Sequence, residues 1–122
     1  MTVPPRPTTP EQLAAVELLR RAQRFVLCGH MRPDGDCLGA QAALARVLGR
    51  LGKDVWIINP DPPEGRFEYL AREVRYRAWT GGELPAHDVA VMLDFCEPKR
   101  LGALEAPLFA AGSKKLVVDH HV

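Results

Sequence analysis

Carboxylates and imidazoles in this chain fall just past short apolar runs, which is where an α/β fold gathers its ligands. Residues 25–28 (FVLC) lead through Gly29 to His30, Asp34 and Asp36. Residues 89–93 (VAVML) lead to Asp94, and residues 116–118 (LVV) lead to Asp119, His120 and His121. Residues 55–58 (VWII) end in Asn59 and Asp61, a weaker instance. If the runs are parallel strands, their tips share one edge of the sheet, the edge at which open α/β sheets bind ligands. The set His30, Asp34, Asp36, Asp94 and His120 offers nitrogen and oxygen donors and no thiolate, which suits Mn²⁺ or a similar divalent ion better than structural zinc. Asp34 and Asp36 sit two apart in a turn set by Pro33 and Gly35, so they can face one cavity yet reach different ions. Carboxylates crowded together repel and raise one another's pKa unless a cation sits between them. Two divalent ions would resolve that conflict, in the arrangement that clamps a phosphoryl group during displacement. Taken singly, Asp-Gly-Asp reads as a turn, Asp94 as a cap and the His-His pair as plain surface. Three such tips on one edge of one sheet make a far less ordinary coincidence.

The elements that must carry these residues are legible in the same way. Thr9 and Gln12 form a capping box around Pro10, and Leu13, Val16 and Leu19 recur at helical spacing, predicting a helix over 10–22. A second helix is predicted over 38–51, with Leu44, Val47, Leu48 and Leu51 as its stripe and Gly52 ending it. Gly39 and Ala40 let that helix approach the sheet closely. The continuous apolar runs at 25–28, 55–58, 89–93 and 116–118 read as strands buried on both faces. Residues 75–79 form a third, shorter strand, residues 67–70 a short helical piece, and residues 98–104 and 107–111 short helical turns. The alternation predicts an α/β fold, an open parallel sheet with helices on both faces.

Composition is that of an ordinary globular domain. The chain has 122 residues, 47% of them hydrophobic and 25% charged, enough for one domain. A formal net charge of +1 makes no case for a nucleic-acid coat or a membrane-surface protein. The arginines are scattered; a local phosphate-binding face competes with solvated helix faces as their reading. No apolar run approaches the ~20 residues that span a bilayer, so no membrane partner is expected. Residues 1–9 are proline-rich and read as a disordered lead-in to a domain over 10–122. Cys28, Cys37 and Cys96 are odd in number and match no paired zinc or disulfide spacing, so no disulfide and a reducing, cytoplasmic setting are expected. Cys28 reads as core. A zinc site from Cys28, His30 and Cys37 fits no known finger, and neither Cys37 nor Cys96 is expected to ligate metal.

At the strand tips the sequence resembles a known family. GHMRPDGDCLGA is similar to the first motif of the DHH phosphoesterase superfamily, His-x-x-Pro-Asp-Gly-Asp-x-x-Gly-Ser, with Ala40 in place of the serine. VMLDFCEPKRLG is similar to the second motif and VVDHHV to the third. INPDPPEGRFEYL is similar to the segment after the second strand in the branch that hydrolyses very short RNA and 3′-phosphoadenosine 5′-phosphate. The resemblance implies a Rossmann-like DHH domain and a two-metal hydrolase of phosphodiesters or phosphomonoesters, using Mn²⁺, with Mg²⁺ or Co²⁺ as substitutes. His30 and Asp34 would hold one ion and Asp36 and His120 the other, with Asp94 bridging. His121 would face the substrate phosphate, and Asp119 would orient a histidine or a neighbouring loop, completing a catalytic set with Asp94. Sister branches cleave cyclic dinucleotides, pyrophosphate or single-stranded DNA. Family members carry a fourth motif with a further aspartate, and a second domain that binds substrate. Neither is found in this sequence, so the chain is expected to be the N-terminal portion of the catalytic domain, weakly active or inactive alone. The alternatives are a non-catalytic metal- or nucleotide-binding module and one half of a split enzyme, partnered by a C-terminal half or second subunit.

Overall fold

The computed structural model describes residues 9–119. Residues 1–8 of the expected lead-in lie outside them, as do His120 and His121. Helix α1 (Pro10–Arg21) is followed by β1 (Arg24–Cys28), α2 (Gly35–Arg50) and β2 (Asp54–Asn59). A 3-10 turn (Gly65–Phe67), α3 (Glu68–Ala71) and β3 (Tyr76–Ala78) come next. Then follow β4 (Val89–Leu93), a 3-10 segment (Pro98–Leu104), α4 (Glu105–Ala110) and β5 (Lys114–Val118). The five strands pair in the order β3-β2-β1-β4-β5, all parallel. The chain runs outward from β1 to β2 and β3, then crosses back to β4. The gap between the β1 and β4 tips is therefore the point at which the winding direction reverses, the preferred ligand position in such sheets.

Successive side chains along a strand point to opposite faces, and the core divides accordingly. Phe25, Leu27, Ile57, Val89, Val91 and Leu93 face Leu18 and Leu19 of α1 and Ala40, Leu44, Ala45 and Leu48 of α2. Val26, Cys28, Ile58, Ala90 and Met92 face Phe95, Leu101, Leu104 and Leu108 from the segment after β4. Helical segments thus cover both faces, as the apolar runs required. Strands β1 and β4 lie at the centre, where their unbroken apolar character belongs.

Several local expectations need correction. Among the described residues the last strand lies at the edge of the sheet, with Val117 and Val118 exposed to 41% and 47%, although its three apolar residues read as buried; an apolar run reports a strand, not its place in the sheet. Helix α2 begins at Gly35, not at residue 38, because Asp34 caps it by accepting from the Cys37 N–H at 2.9 Å. Asp36 therefore stands in the first helical turn instead of in a Pro-Gly turn. Of the expected stripe on α2, Leu48 is buried, while Val47 and Leu51 are exposed. The buried face runs through Cys37, Leu38, Gln41, Ala42 and Leu48. On α1 the capping box forms as read, but Leu13 and Val16 are exposed and Leu18 and Leu19 make the core contact. Residue spacing recognises a helix better than it chooses the buried side. Among the described residues no helix is long and apolar enough to cross a membrane.

Candidate metal centre

The site begins with how β1 ends. Gly29 lets three side chains close over the strand tip: a Cβ there would run into Cys37 Sγ and come within 3.0 Å of Asn59 Oδ1 and 3.1 Å of Gln41 Nε2. Asn59 Oδ1 accepts from the Gly29 N–H at 2.6 Å and from Gln41 Nε2 at 2.6 Å, and Asn59 Nδ2 donates to Gln41 Oε1 at 3.0 Å. Both amides are fully buried. They tie the tips of β1 and β2 to α2 and so aim the next residue, His30. From sequence Asn59 reads as a weak ligand-type strand end, and Gln41 belongs to no motif. Its signal was a polar residue on the buried face of α2.

His30 is 3% exposed. Its Nδ1 lies 2.7 Å from the Met31 carbonyl. A carbonyl only accepts, so Nδ1 donates to it and Nε2 is the ring nitrogen left facing the carboxylates. Nε2 stands 3.9 Å from Asp34 Oδ1 and 3.9 Å from Asp94 Oδ2, too far for a hydrogen bond. The ring is held edge-on to Phe95, with centroids 6.1 Å apart. Asp94 is 5% exposed and follows β4; its N–H donates to the Val118 carbonyl at 2.9 Å. Asp94 (φ 71°) and Arg32 (φ 51°) are the non-glycine residues with positive φ among the described residues. Both lie in this site, and such conformations cost of order 1–3 kcal/mol, typically where function over-determines the backbone. Surrounding loops hold them: the Arg32 N–H donates to Asp61 Oδ2 at 2.8 Å and the Met31 N–H to the Arg100 carbonyl at 2.8 Å.

The donors fit a cation. One ligand atom each from His30, Asp34 and Asp94 lies within 4.8 Å of the others, leaving room for an ion bonded at about 2.0–2.2 Å to nitrogen and oxygen. Burial pushes the Asp34 carboxyl up, but the Cys37 N–H, His30, Asp94 and Arg100 together hold it below its ordinary value. It is therefore ionised at neutral pH, as a ligand must be. The thiols behave oppositely. Burial pushes Cys37 up to about 12, with Asp94 and Asp34 adding to the effect. Burial likewise pushes Cys28 up to about 12. A metal-binding cysteine is a thiolate, so these buried thiols do not support the zinc alternative; Cys37 Sγ instead points at the Leu93 carbonyl, 3.7 Å away. Cys96 is exposed, and all three cysteines are free.

Asp36 stands outside the three-residue group. It lines an adjoining cavity of about 450 Å³ together with Ala40, Leu93, Asp94, Val118 and Asp119. Asp94 thus belongs both to the His30–Asp34 cluster and to the cavity that contains Asp36 and Asp119. His120 and His121 lie outside the described residues.

The pattern of the DHH family's N-terminal domain matches residues 24–122. The chain belongs to the DHH family. A curated relative, the bifunctional oligoribonuclease and PAP phosphatase NrnA of Mycoplasma pneumoniae, is 30% identical over 110 residues. The match takes in 88% of this chain and 33% of the relative. An exopolyphosphatase-related protein from Bacteroides fragilis superimposes with a TM-score of 0.80 at 22% identity, over 92% of this chain and 35% of that one. That likeness is one of fold. This DHH chain spans about a third of the length of both proteins.

Proposed function

We propose that the chain supplies the metal-holding part of a two-metal phosphoesterase, acting on short oligoribonucleotides or on 3′-phosphoadenosine 5′-phosphate. The observation that carries the reading is the convergence of His30 Nε2 with Asp34 and Asp94 carboxylate oxygens at 3.9 Å each. Membership of the DHH family and the named activities of the Mycoplasma relative support the choice of substrate class.

In this reading His30, Asp34 and Asp94 hold one Mn²⁺, while Asp36 and Asp94, with His120, hold a second. Divalent ions bound there would polarise a phosphoryl oxygen and make water a competent nucleophile at neutral pH. The chain's own residues do the rest. The Met31 carbonyl fixes the His30 tautomer, the α2 N-cap fixes the Asp34 rotamer, and Val118 anchors the Asp94 backbone. Asp119 would orient a histidine or a neighbouring loop, and His121 would meet the substrate phosphate.

Diribonucleotide hydrolysis in Mn²⁺ tests this. We expect weak or no turnover by this chain alone, any turnover being abolished by chelation and in Asp94→Asn, and Mn²⁺ uptake in either case. Turnover that survives both changes, or a chain that takes up no Mn²⁺, would contradict the proposal.

A further inference from the structure

We propose that Arg66 and Phe67 form a stacking platform for a nucleobase of the substrate, on the wall of the metal centre nearest β2. The proposal rests on the nucleotide phosphoesterase reading above and adds a base-recognition subsite to it. Gly35 separates Asp34 from Asp36, and the Phe67 ring closes over it: a Cβ at Gly35 would lie 3.3 Å from Phe67 Cε1 and 3.8 Å from Cζ. The Arg66 guanidinium carbon lies over the same ring, 4.7 Å from its centroid. Its side chain is 70% exposed, with Nε paired to Glu64 at 3.0 Å. The turn bearing both residues is closed by the Phe67 N–H to the Glu64 carbonyl at 2.9 Å. Its leading loop is tied to the ligand loop by Asp61 and the Arg32 N–H, 2.8 Å apart. The platform and the metal ligands are therefore built on one connected set of loops.

Simple packing accounts for the ring on Gly35, but a cover for a helix start has no use for an exposed guanidinium laid over its ring. A planar cation backed by an aromatic ring is a surface on which bases stack, with either partner contributing. An acidic anchor at Glu64 holds the guanidinium in place and offsets part of its charge. That arrangement suits a base better than a second phosphate.

Titration calorimetry in Mn²⁺ with a phosphorothioate-linked diribonucleotide and its fully abasic analogue tests the proposal. The wild type should bind the base-bearing probe about tenfold more tightly than the abasic one. Phe67→Leu, which keeps apolar cover over Gly35, and Arg66→Ala should each bring that ratio close to one. Abasic affinity and Mn²⁺ uptake should stay unchanged. A wild-type ratio near one, or a ratio untouched by either variant, overturns the platform while leaving the phosphoesterase reading intact. Equal loss of both probes in Arg66→Ala also overturns it, by making Arg66 a phosphate contact. Failure of the wild type to bind either probe overturns both readings.

Discussion

The two ends of this parallel sheet treat charge in opposite ways. At the N-terminal end, Asp88 accepts from the Gln23 and Arg24 N–H groups at 3.2 and 2.8 Å and pairs with the Arg24 guanidinium at 3.1 Å. Lys53 Nζ donates to the Arg20 and Ala22 carbonyls at 2.8 and 2.6 Å. Each of these charges is matched at hydrogen-bonding distance by a partner that fastens strand to strand or helix to strand. At the C-terminal end, His30 Nε2 stands 3.9 Å from an oxygen of each of two carboxylates, Asp34 and Asp94, beyond hydrogen-bonding distance. The first arrangement fastens the fold; the second gathers ligand-type atoms that suit a cation. Charge alone therefore does not mark a functional site in this fold, whereas nitrogen and oxygen ligands gathered around one position do.

Predictions follow from breaking each end in turn. The largest effect belongs to the C-terminal end. Removing a hydrogen-bonding group behind a metal ligand commonly costs 10–100-fold in affinity, so removing a ligand outright in Asp94→Asn should weaken Mn²⁺ binding by about 100-fold or more. Next comes the buried amide pair beneath the site. Asn59→Leu leaves the Gly29 N–H and the Gln41 amide without their partner, at about 1–3 kcal/mol for each buried group left unsatisfied. Urea unfolding should show that loss, and Mn²⁺ affinity should fall with it as His30 loses its support.

The N-terminal end should respond in stability and leave metal binding untouched. Hydrogen bonds from Arg24, by side chain and then backbone, and from the Gln23 N–H hold the Asp88 carboxyl at about 2, below its ordinary 3.8. A depressed carboxyl stabilises the fold above its unfolded pKa and loses that contribution as pH falls through the folded value. Asp88→Asn should therefore unfold at lower denaturant than wild type above about pH 4, with the gap closing as pH falls towards about 2. Equal Mn²⁺ affinity in the two proteins would complete the contrast; a tight-binding defect in Asp88→Asn would erase it. The smallest effect is chemical. With Cys28 and Cys37 buried and raised to about 12, a thiol reagent near neutral pH should label exposed Cys96 alone until the chain unfolds.

The sequence made the polar strand tips and the apolar runs legible because both follow from adjacency along the chain. FVLC and VAVML each fill a central strand, and His30 and Asp94 come next in line. Which side of a helix is buried depends on what lies across from it. Leu13, Val16, Val47 and Leu51 have the spacing of a buried face and are nonetheless exposed. Strand position escapes for the same reason: LVV at an edge reads like FVLC at the centre. Asp34 as a helix cap and Gln41 as a buried amide depend on one hydrogen bond and one packing partner, and Asp-Gly-Asp by itself supports a turn just as well. Most of all, the 3.9 Å approach of His30 to Asp94, 64 positions further on, is a property of strand order.

Titration of the metal-free chain with Mn²⁺, followed by the loss of the free-ion paramagnetic resonance signal, tests the central claim most directly. Wild type and Asp88→Asn should take up the ion with the same affinity, and His30→Ala, Asp34→Asn and Asp94→Asn should each lose it. Uptake by wild type that survives all three site substitutions would place the ion elsewhere and contradict the account.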